Sequence, residues 1–403
     1  MEVLEGLKVL ELGVWVAGPS VAALLADWGA EVVKLEAPEG DPFRGLFAAL
    51  GYDAAIPNAP FALDNRGKRS LALDLRHPGS GPVRERLLEW ADVLVTNLRP
   101  DALGRLGLDP ELVRTRHPRL VVGLITGYGL GGPDADRPGY DVGAFWARSG
   151  LARQLLPSEE PPPMIRGGVG DHVTALGATA GIMAALYERE RTGVGRLVET
   201  SLLRTGAFVM GWDLGIQLVL GKVAPTRARP DSPTPLLSPY RAGDGRWFFL
   251  IGLEADRHFP GLLQALDRTE LADDPRFATA RDRRRNSAAF IAELDAAFAT
   301  LPLDDWTERF DREDVWWAPA QTPAEVVVDP QLRATGGFVE VEGSGGGPPF
   351  EAVASPVQFD RAPVPGPGPV PEIGEHSREV LLQLGFEPAE VDGLVEAGIV
   401  GGP

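Results

Sequence analysis

Short apolar runs alternate with amphipathic stretches through the N-terminal third of the chain. KVLELG predicts a buried strand, SVAALLADWGA a helix with Ser20 at its start and Gly29 past its end, and EVVKLE the next strand. SLALDL, PVRERLLEWA, DVLVTNL and RLVVGLITG continue the rhythm. Strands that alternate with crossover helices predict an α/β fold built on a doubly wound, Rossmann-like parallel sheet.

The pattern then lengthens. Asp171 begins the longest helical stretch of this half, which runs to about Arg191 and is closed by TGVG; RLVETSLL predicts a strand, and a second helix reaches about Leu220. KVAPTRARPDSPTPLLSP is dense in proline and arginine and predicts a linker. Beyond it YRAGDGRWFFLIGL predicts a hairpin about a Gly-Asp-Gly turn, and RDRRRNSAAFIAELDAAFATL an amphipathic helix. FVEVEGSGGGPPFEAVASPVQF predicts another hairpin, RAPVPGPGPVP an extended strap, and the last segment two short helices divided at Gly385 and Phe386. The expected layout is a large domain over 1–222, a linker over 223–239, a smaller α+β domain over 240–330 and a C-terminal segment over 331–403.

A length of 403 residues exceeds one ordinary core, so two domains are expected. The chain has no cysteine, which excludes disulfides, thiolate metal sites and a thiol nucleophile. The opening MEVLEGLKVLELG is acidic and no apolar run approaches a bilayer span, so the cytosol is the expected address and no membrane partner is expected. A formal charge of -18 speaks against a nucleic-acid surface. His77, His117, His172, His258 and His376 form no pair at ligand spacing, so no metal site is expected.

Two stretches imitate dinucleotide fingerprints. The first strand, helix and strand end on Glu36, where a ribose-binding acid would stand, but the turn is GVWVAGP and not GxGxxG. GYGLGG from Gly127 to Gly132 satisfies GxGxxG yet leads into PDADRPG, with no helix to present its amides to a pyrophosphate. Neither a nicotinamide nor a flavin nucleotide is expected.

The stretch RGGVGDHVTALGATAGIMAAL places one carboxylate, Asp171, between a glycine cluster and a helix of small residues. Two roles suit it: an N-cap, because Asp accepts from the orphan amides of a first turn, or a nucleophile held by that same turn.

The segments together resemble the class III coenzyme A transferases of the CaiB/BaiF type, a family that also contains α-methylacyl-CoA racemases. The resemblance is carried by VLELGVWVAGP, GAEVVKLEAPEGDPFR, NRGKRSLALDL, ADVLVTNLRPDALGRLGL, TGYGLGGPDADRPGYD, GDHVTALGATAGIMAALYERERTGVGRLVETSLL, DPQLRATGGF and IGEHSREVLLQLGF, in the family's order from about residue 4 to 400. It implies that Asp171 is the nucleophile, that an acyl-CoA and a small carboxylic acid are the substrates, and that the C-terminal segment returns to the large domain of an interlocked homodimer. Coenzyme A contacts are implied for Val16, Ala17, Leu73, Arg76, Asn97, Leu98, Arg105, Arg137 and Tyr140. Gly167, Gly168 and Gly170 would open the turn to a developing oxyanion. Arg66, Lys68 and Arg69 form a local basic cluster whose orientation the sequence leaves open.

Some positions depart from the pattern. Ala37 stands where some transferases carry an arginine, and no run of glycines follows YRAGDGRWFFL, which speaks against oxalate as acceptor. Racemases carry a histidine in a GHD element; here the element is GYD, with Tyr140. Glu254 falls where racemases keep a glutamate and His172 adjoins Asp171, so α-proton exchange stays open as the alternative, as does a silent CoA-binding homologue. Trp15, Phe145, Trp146, Met210 and Trp212 are candidates for an apolar acyl pocket, and succinyl-CoA is the donor that the resemblance suggests.

Overall fold

The computed structural model of the chain describes residues 3–53, 56–157, 159–344, 347–362 and 368–402. It divides into two compact units: the first holds 1–152, 163–223 and 334–403, the second 153–162 and 224–333.

In the first unit six strands, β1 (Lys8–Leu12), β2 (Glu31–Glu36), β3 (Arg69–Leu73), β4 (Val93–Thr96), β5 (Val121–Thr126) and β6 (Leu197–Ser201), lie parallel in the order β3-β2-β1-β4-β5-β6. A short strand from the C-terminus, β12 (Val400–Gly401), pairs antiparallel with β3 and blunts that edge. β4 and β5 are buried at every position, which is why VLVT and VVGLIT read as unbroken apolar runs and not as alternating ones.

The first helix covers Ala17–Asp27 and so starts three residues before the expected Ser20. Pro19 is tolerated in its first turn because the N–H that proline lacks has no intrahelical acceptor there. The helix Val169–Thr192 packs on β5, β6 and this first helix. It is long and apolar enough to cross a bilayer by composition, but its buried residues are core contacts such as Ala175, Ala178 and Ile182. Gly193, at φ +74, closes it in the left-handed conformation. The helical stretch expected to reach Leu220 is two helices, Leu202–Val209 and Gly211–Leu220, broken at Met210. A hairpin of β10 (Phe338–Val341) and β11 (Phe350–Val353) and the helices Ser377–Gln383 and Pro388–Glu396 complete the unit. The central part of the proline-rich strap, 363–367, lies outside the described residues.

The second unit carries a three-stranded antiparallel sheet of β7 (Pro239–Arg241), β8 (Trp247–Leu250) and β9 (Trp317–Pro319). The expected hairpin is β7 with β8; β9 is added from 70 residues downstream, where WAP carries no strand pattern. Its core is aromatic, with Phe298, Trp306 and Phe310 gathered on Phe248 and Tyr240. The stretch RDRRRNSAAFIAELDAAF is two helices, Ala280–Arg285 and Ser287–Phe298, meeting at Asn286. The 223–239 stretch is not a free linker: Leu236 is buried in this core.

Candidate active site

Strand order reverses between β1 and β4, and in open α/β sheets the crevice beyond the carboxyl ends of the strands at such a reversal is where ligands bind. A cavity of about 380 Å³ opens there. Its walls are the loop after β1 (Val14 to Ala17), the loop after β4 (Asn97 to Arg99), the end of β5, the segment with Arg137 and Tyr140, and Asp171. A second cavity of about 250 Å³ follows the same sheet edge past β2 and β3, is lined by Leu73 and Arg76, and shares Val14 and Leu98 with the first.

The β1 loop is held in place by groups that the sequence hides. Asn97 clamps Val14: its Oδ1 accepts from the Val14 N–H at 3.0 Å and its Nδ2 donates to the Val14 carbonyl at 2.8 Å. A Cβ on Gly18 would come within 3.1 Å of that Oδ1, so glycine is required by the close approach. Trp15 sits at φ +63, a strained conformation for a bulky residue, fixed by its N–H to Asp41 Oδ1 at 3.1 Å. Its ring meets the edge of Tyr140 at 6.2 Å and Phe43 at 6.0 Å.

Under this loop lies a buried charge network. Glu11 accepts from Lys34 Nζ at 2.8 Å and from Lys68 Nζ at 2.6 Å, and Lys34 also reaches Asp41 at 3.1 Å. Burial pulls both lysines toward the neutral form. Lys34, facing Glu11 and Asp41, is nonetheless held above the ordinary value, whereas Lys68 is lowered to about 8 by burial and by the Lys34 charge.

Asp171 is the third residue of the helix Val169–Thr192; the N-cap is Gly168, in the left-handed region at φ +84. The expected capping role is therefore not the one it plays. Its carboxylate makes no hydrogen bond or ion pair among the described residues and faces the 380 Å³ cavity. Burial first, then the charge of Asp141, raise its pKa to about 7, with Asp64 adding to the rise and His172 opposing it. Asp141 is itself buried and takes the N–H of Val142 at 2.7 Å and of Gly170 at 3.3 Å. It starts a π-helical turn, Val142–Ala147, whose Phe145 packs so closely that a Cβ on Gly170 would come within 2.6 Å of the ring.

These contacts revise the turn. Gly170 is there for close packing, and its amide is engaged by Asp141 instead of being open to an oxyanion. Gly168 supplies the positive φ; Gly167 is exposed. His172 does not face the cavity: its Nε2 lies 3.1 Å from Asp64 Oδ1, and burial notwithstanding, that hydrogen bond and the charges of Asp64, Asp171 and Asp141 raise its pKa.

Of the remaining positions singled out in the sequence, Val16, Ala17, Asn97, Leu98, Arg137 and Tyr140 converge on the first cavity with Asp171, and Leu73, Arg76 and Leu98 on the second. Arg76 is exposed and spends its charge on Asp74 at 3.1 Å and Glu39 at 3.7 Å. Arg105 is exposed at the end of the helix Pro100–Arg105, lines neither cavity, and has no ion pair among the described residues. The basic cluster is structural: Arg66 pairs through two nitrogens with Asp27, Lys68 belongs to the buried network, and Arg69 pairs with Glu31 and Glu379. Glu36 is consumed by Arg44, Ser70 and the Asp41 amide, which leaves no free acceptor for ribose hydroxyls. The five aromatic and methionine candidates do not form one pocket. Trp15 lines the cavity, Phe145 and Met210 are buried, Trp146 donates to the Pro163 carbonyl at 2.7 Å, and Trp212 is 83% exposed. Glu254 lies in the second unit, paired with Arg257 at 3.2 Å. Sequence reading missed Asp141 and Asp64 because their places beside Asp171 are set by contacts across 30 and 107 residues; the acid of the GYD element was the available signal.

A family model for CoA-transferase family III matches residues 4–377. The chain belongs to CoA-transferase family III. This makes it an enzyme of that class, and the relatives agree. It is 32% identical over 395 residues to cinnamoyl-CoA:phenyllactate CoA-transferase of Clostridium sporogenes, covering 96% of this chain and 95% of the relative. It is 32% identical over 396 residues to succinate–glutarate CoA-transferase of Agrobacterium fabrum, covering 94% and 95%. The crystal structure of a CaiB/BaiF family protein from Brucella suis superposes with a TM-score of 0.81 at 31% identity, covering 94% of this chain and 98% of that one.

Proposed function

We propose that this transferase moves coenzyme A from an acyl-CoA to a carboxylic acid through covalent intermediates on Asp171. The observation that carries the reading is an unpaired carboxylate facing a cavity at the sheet's switch point.

The steps balance without net proton transfer. An Asp171 oxygen attacks the acyl-CoA carbonyl, the C–S bond breaks, and a mixed anhydride and the CoA thiolate result. The thiolate attacks the aspartyl carbonyl and expels the donor carboxylate, leaving an aspartyl-CoA thioester. The acceptor carboxylate attacks that thioester and frees the thiolate, which then attacks the acceptor's acyl carbon and regenerates Asp171. Each intermediate is labile to water, so a partly buried carboxylate suits the chemistry. The two adjoining cavities offer an extended ligand room along the β5-to-β3 edge; Arg76 and Arg137 line it, and Arg105 stands outside both cavities on the helix that follows the β4 loop, as the further cation proposed for its phosphates.

A second copy of the chain belongs to this reading. The helix Gly211–Leu220 buries none of its residues, and Phe208, Trp212, Leu218 and Val219 are each more than 80% exposed. An apolar surface of that kind in a chain of charge -18 marks an association face, and a homodimer is the assembly it supports.

Incubation with an acyl-CoA followed by hydroxylamine should convert Asp171 to its hydroxamate, read by peptide mass. A chain that exchanges CoA between acids with Asp171 unmodified at every time point would sink the proposal. Washout of α-deuterium from a branched acyl-CoA without any acceptor acid would instead support the racemase alternative.

A further inference from the structure

His172 is not engaged by the transfer chemistry, yet it occupies the position after the nucleophile. Its ring bonds Asp64 Oδ1 at 3.1 Å, and the same oxygen accepts from Ser20 Oγ at 2.6 Å. Asp64 is almost fully buried on the helix Ala59–Asn65. Ser20 lies in the first turn of the helix Ala17–Asp27, where its N–H bonds the Val16 carbonyl at 2.8 Å. The chain His172–Asp64–Ser20 therefore ties the turn that carries Asp171 to the loop after β1, which lines the same cavity. The imidazole also packs over Gly168, its Cε1 lying 3.2 Å from where a Cβ there would sit.

The surrounding charges define what the ring can do. Asp64 faces it directly. Arg66 and Asp27, on the wall of the cavity that His172 itself lines, neutralise one another, and Lys68 Nζ donates to the Asp64 carbonyl at 2.5 Å. Around Asp171 stand the negative charges of Asp141 and Asp64, and Arg137 lines the same cavity. The ring, when protonated, is thus the adjacent positive charge, on the same helical turn as the nucleophile, and although burial works against it, the hydrogen bond and charge of Asp64 raise its pKa.

We propose that His172 is a positioning residue: held by Asp64, which Ser20 also bonds, it fixes the first turn of the helix against the cavity wall and, when protonated, favours the ionised form of Asp171. This rests on the reading of Asp171 as nucleophile, but its direct test does not.

The Asp171 carboxylate can be titrated by ¹³Cγ NMR of aspartate-labelled protein, the resonance being assigned by its loss in Asp171→Asn. His172→Gln retains a donor for Asp64 and removes the charge, and should raise the Asp171 midpoint by about one pH unit. The kcat/KM of that variant should fall about tenfold below the acidic limb and recover above it, with CoA affinity unchanged. Coupling is reciprocal, so Asp171→Asn should lower the His172 midpoint by a similar amount, which tests the link even where His172→Gln does not fold. An unmoved Asp171 midpoint in folded His172→Gln, or an unmoved His172 midpoint in Asp171→Asn, overturns the proposal. Failure to trap acylated Asp171 in the wild type, with both midpoints shifted, would sink the transfer chemistry and leave the coupling standing.

Discussion

Under the β1 loop, Glu11, Lys34, Lys68 and Asp41 are buried together and each charge is paired with an opposite one; at the start of the helix Val169–Thr192, Asp171 is partly buried and has no ion pair among the described residues. Both arrangements take charge out of water, which is costly. In the first, the attraction and four further acceptors, among them the Gly13 and Pro19 carbonyls, offset that cost, and the result is a loop fixed in one conformation. In the second only the neighbouring His172 opposes it; burial and the charges of Asp141 and Asp64 prevail, and the carboxylate keeps a raised pKa of about 7 and an open face. Paired burial builds a wall, whereas unpaired burial stores reactivity.

The largest effect expected from this contrast is on turnover. Asp171→Asn should lower kcat by about 1,000-fold or more while leaving CoA binding by calorimetry within a few-fold. The same change should stabilise the fold. A carboxyl whose folded pKa is raised weakens folding as pH climbs from its ordinary value near 4 to about 7, because the unfolded chain ionises first. The variant should therefore match the wild type near pH 4 and exceed it at pH 8, by about 1–3 kcal/mol in urea unfolding. Equal stability at both pH values would show that Asp171 is not held against its preference. The opposite sign is expected in the network: Glu11→Gln leaves two buried ammonium groups with diminished partners and should cost about 3–5 kcal/mol. A loss below about 1 kcal/mol by urea unfolding would mean that the buried lysines had found water.

How much of this was legible follows the same division. The six parallel strands were readable because each is a local run flanked by glycine, proline or a capping residue. β9 and β12 were not, since WAP and VG become strands only through the partners they meet. Asp171 stood out because an acid beside three glycines is locally odd. Its environment was hidden: Asp64, Asp141 and the π-helical turn reach it by tertiary packing, and no spacing rule places residue 64 beside residue 172. The basic cluster 66–69 is the converse case: Arg66 and Lys68 spend their charge on buried partners and Arg69 on partners that solvent reaches.

A smaller effect sharpens the role of Asp141. The nucleophile must be ionised, so kcat/KM should rise with pH through about 7, the raised value of Asp171 in the free enzyme. Asp141→Asn removes the largest charge contribution to that rise, and its acidic limb should move down by about one pH unit. Fixed rates of proton-independent steps cannot imitate a limb that moves with a neighbour's charge. An unmoved limb in a folded variant would assign it to another group.

The smallest effect expected is at the cavity's outer edge, and it probes the contrast where solvent reaches. Arg76 is exposed and already bonded to Asp74, whose carboxyl is held below its ordinary value chiefly by that hydrogen bond. A phosphate must compete with this partner and with water, so the net gain from engaging it is small. Arg76→Ala should raise KM for acyl-CoA about threefold with kcat unchanged, while Arg105→Ala, which removes a cation with no competing ion pair among the described residues, should raise it more. The ranking matters more than either value. A KM for Arg76→Ala raised a hundredfold, with Arg105→Ala silent, would mean that an exposed and paired cation dominates binding, and that pairing does not separate wall from function at this edge of the sheet.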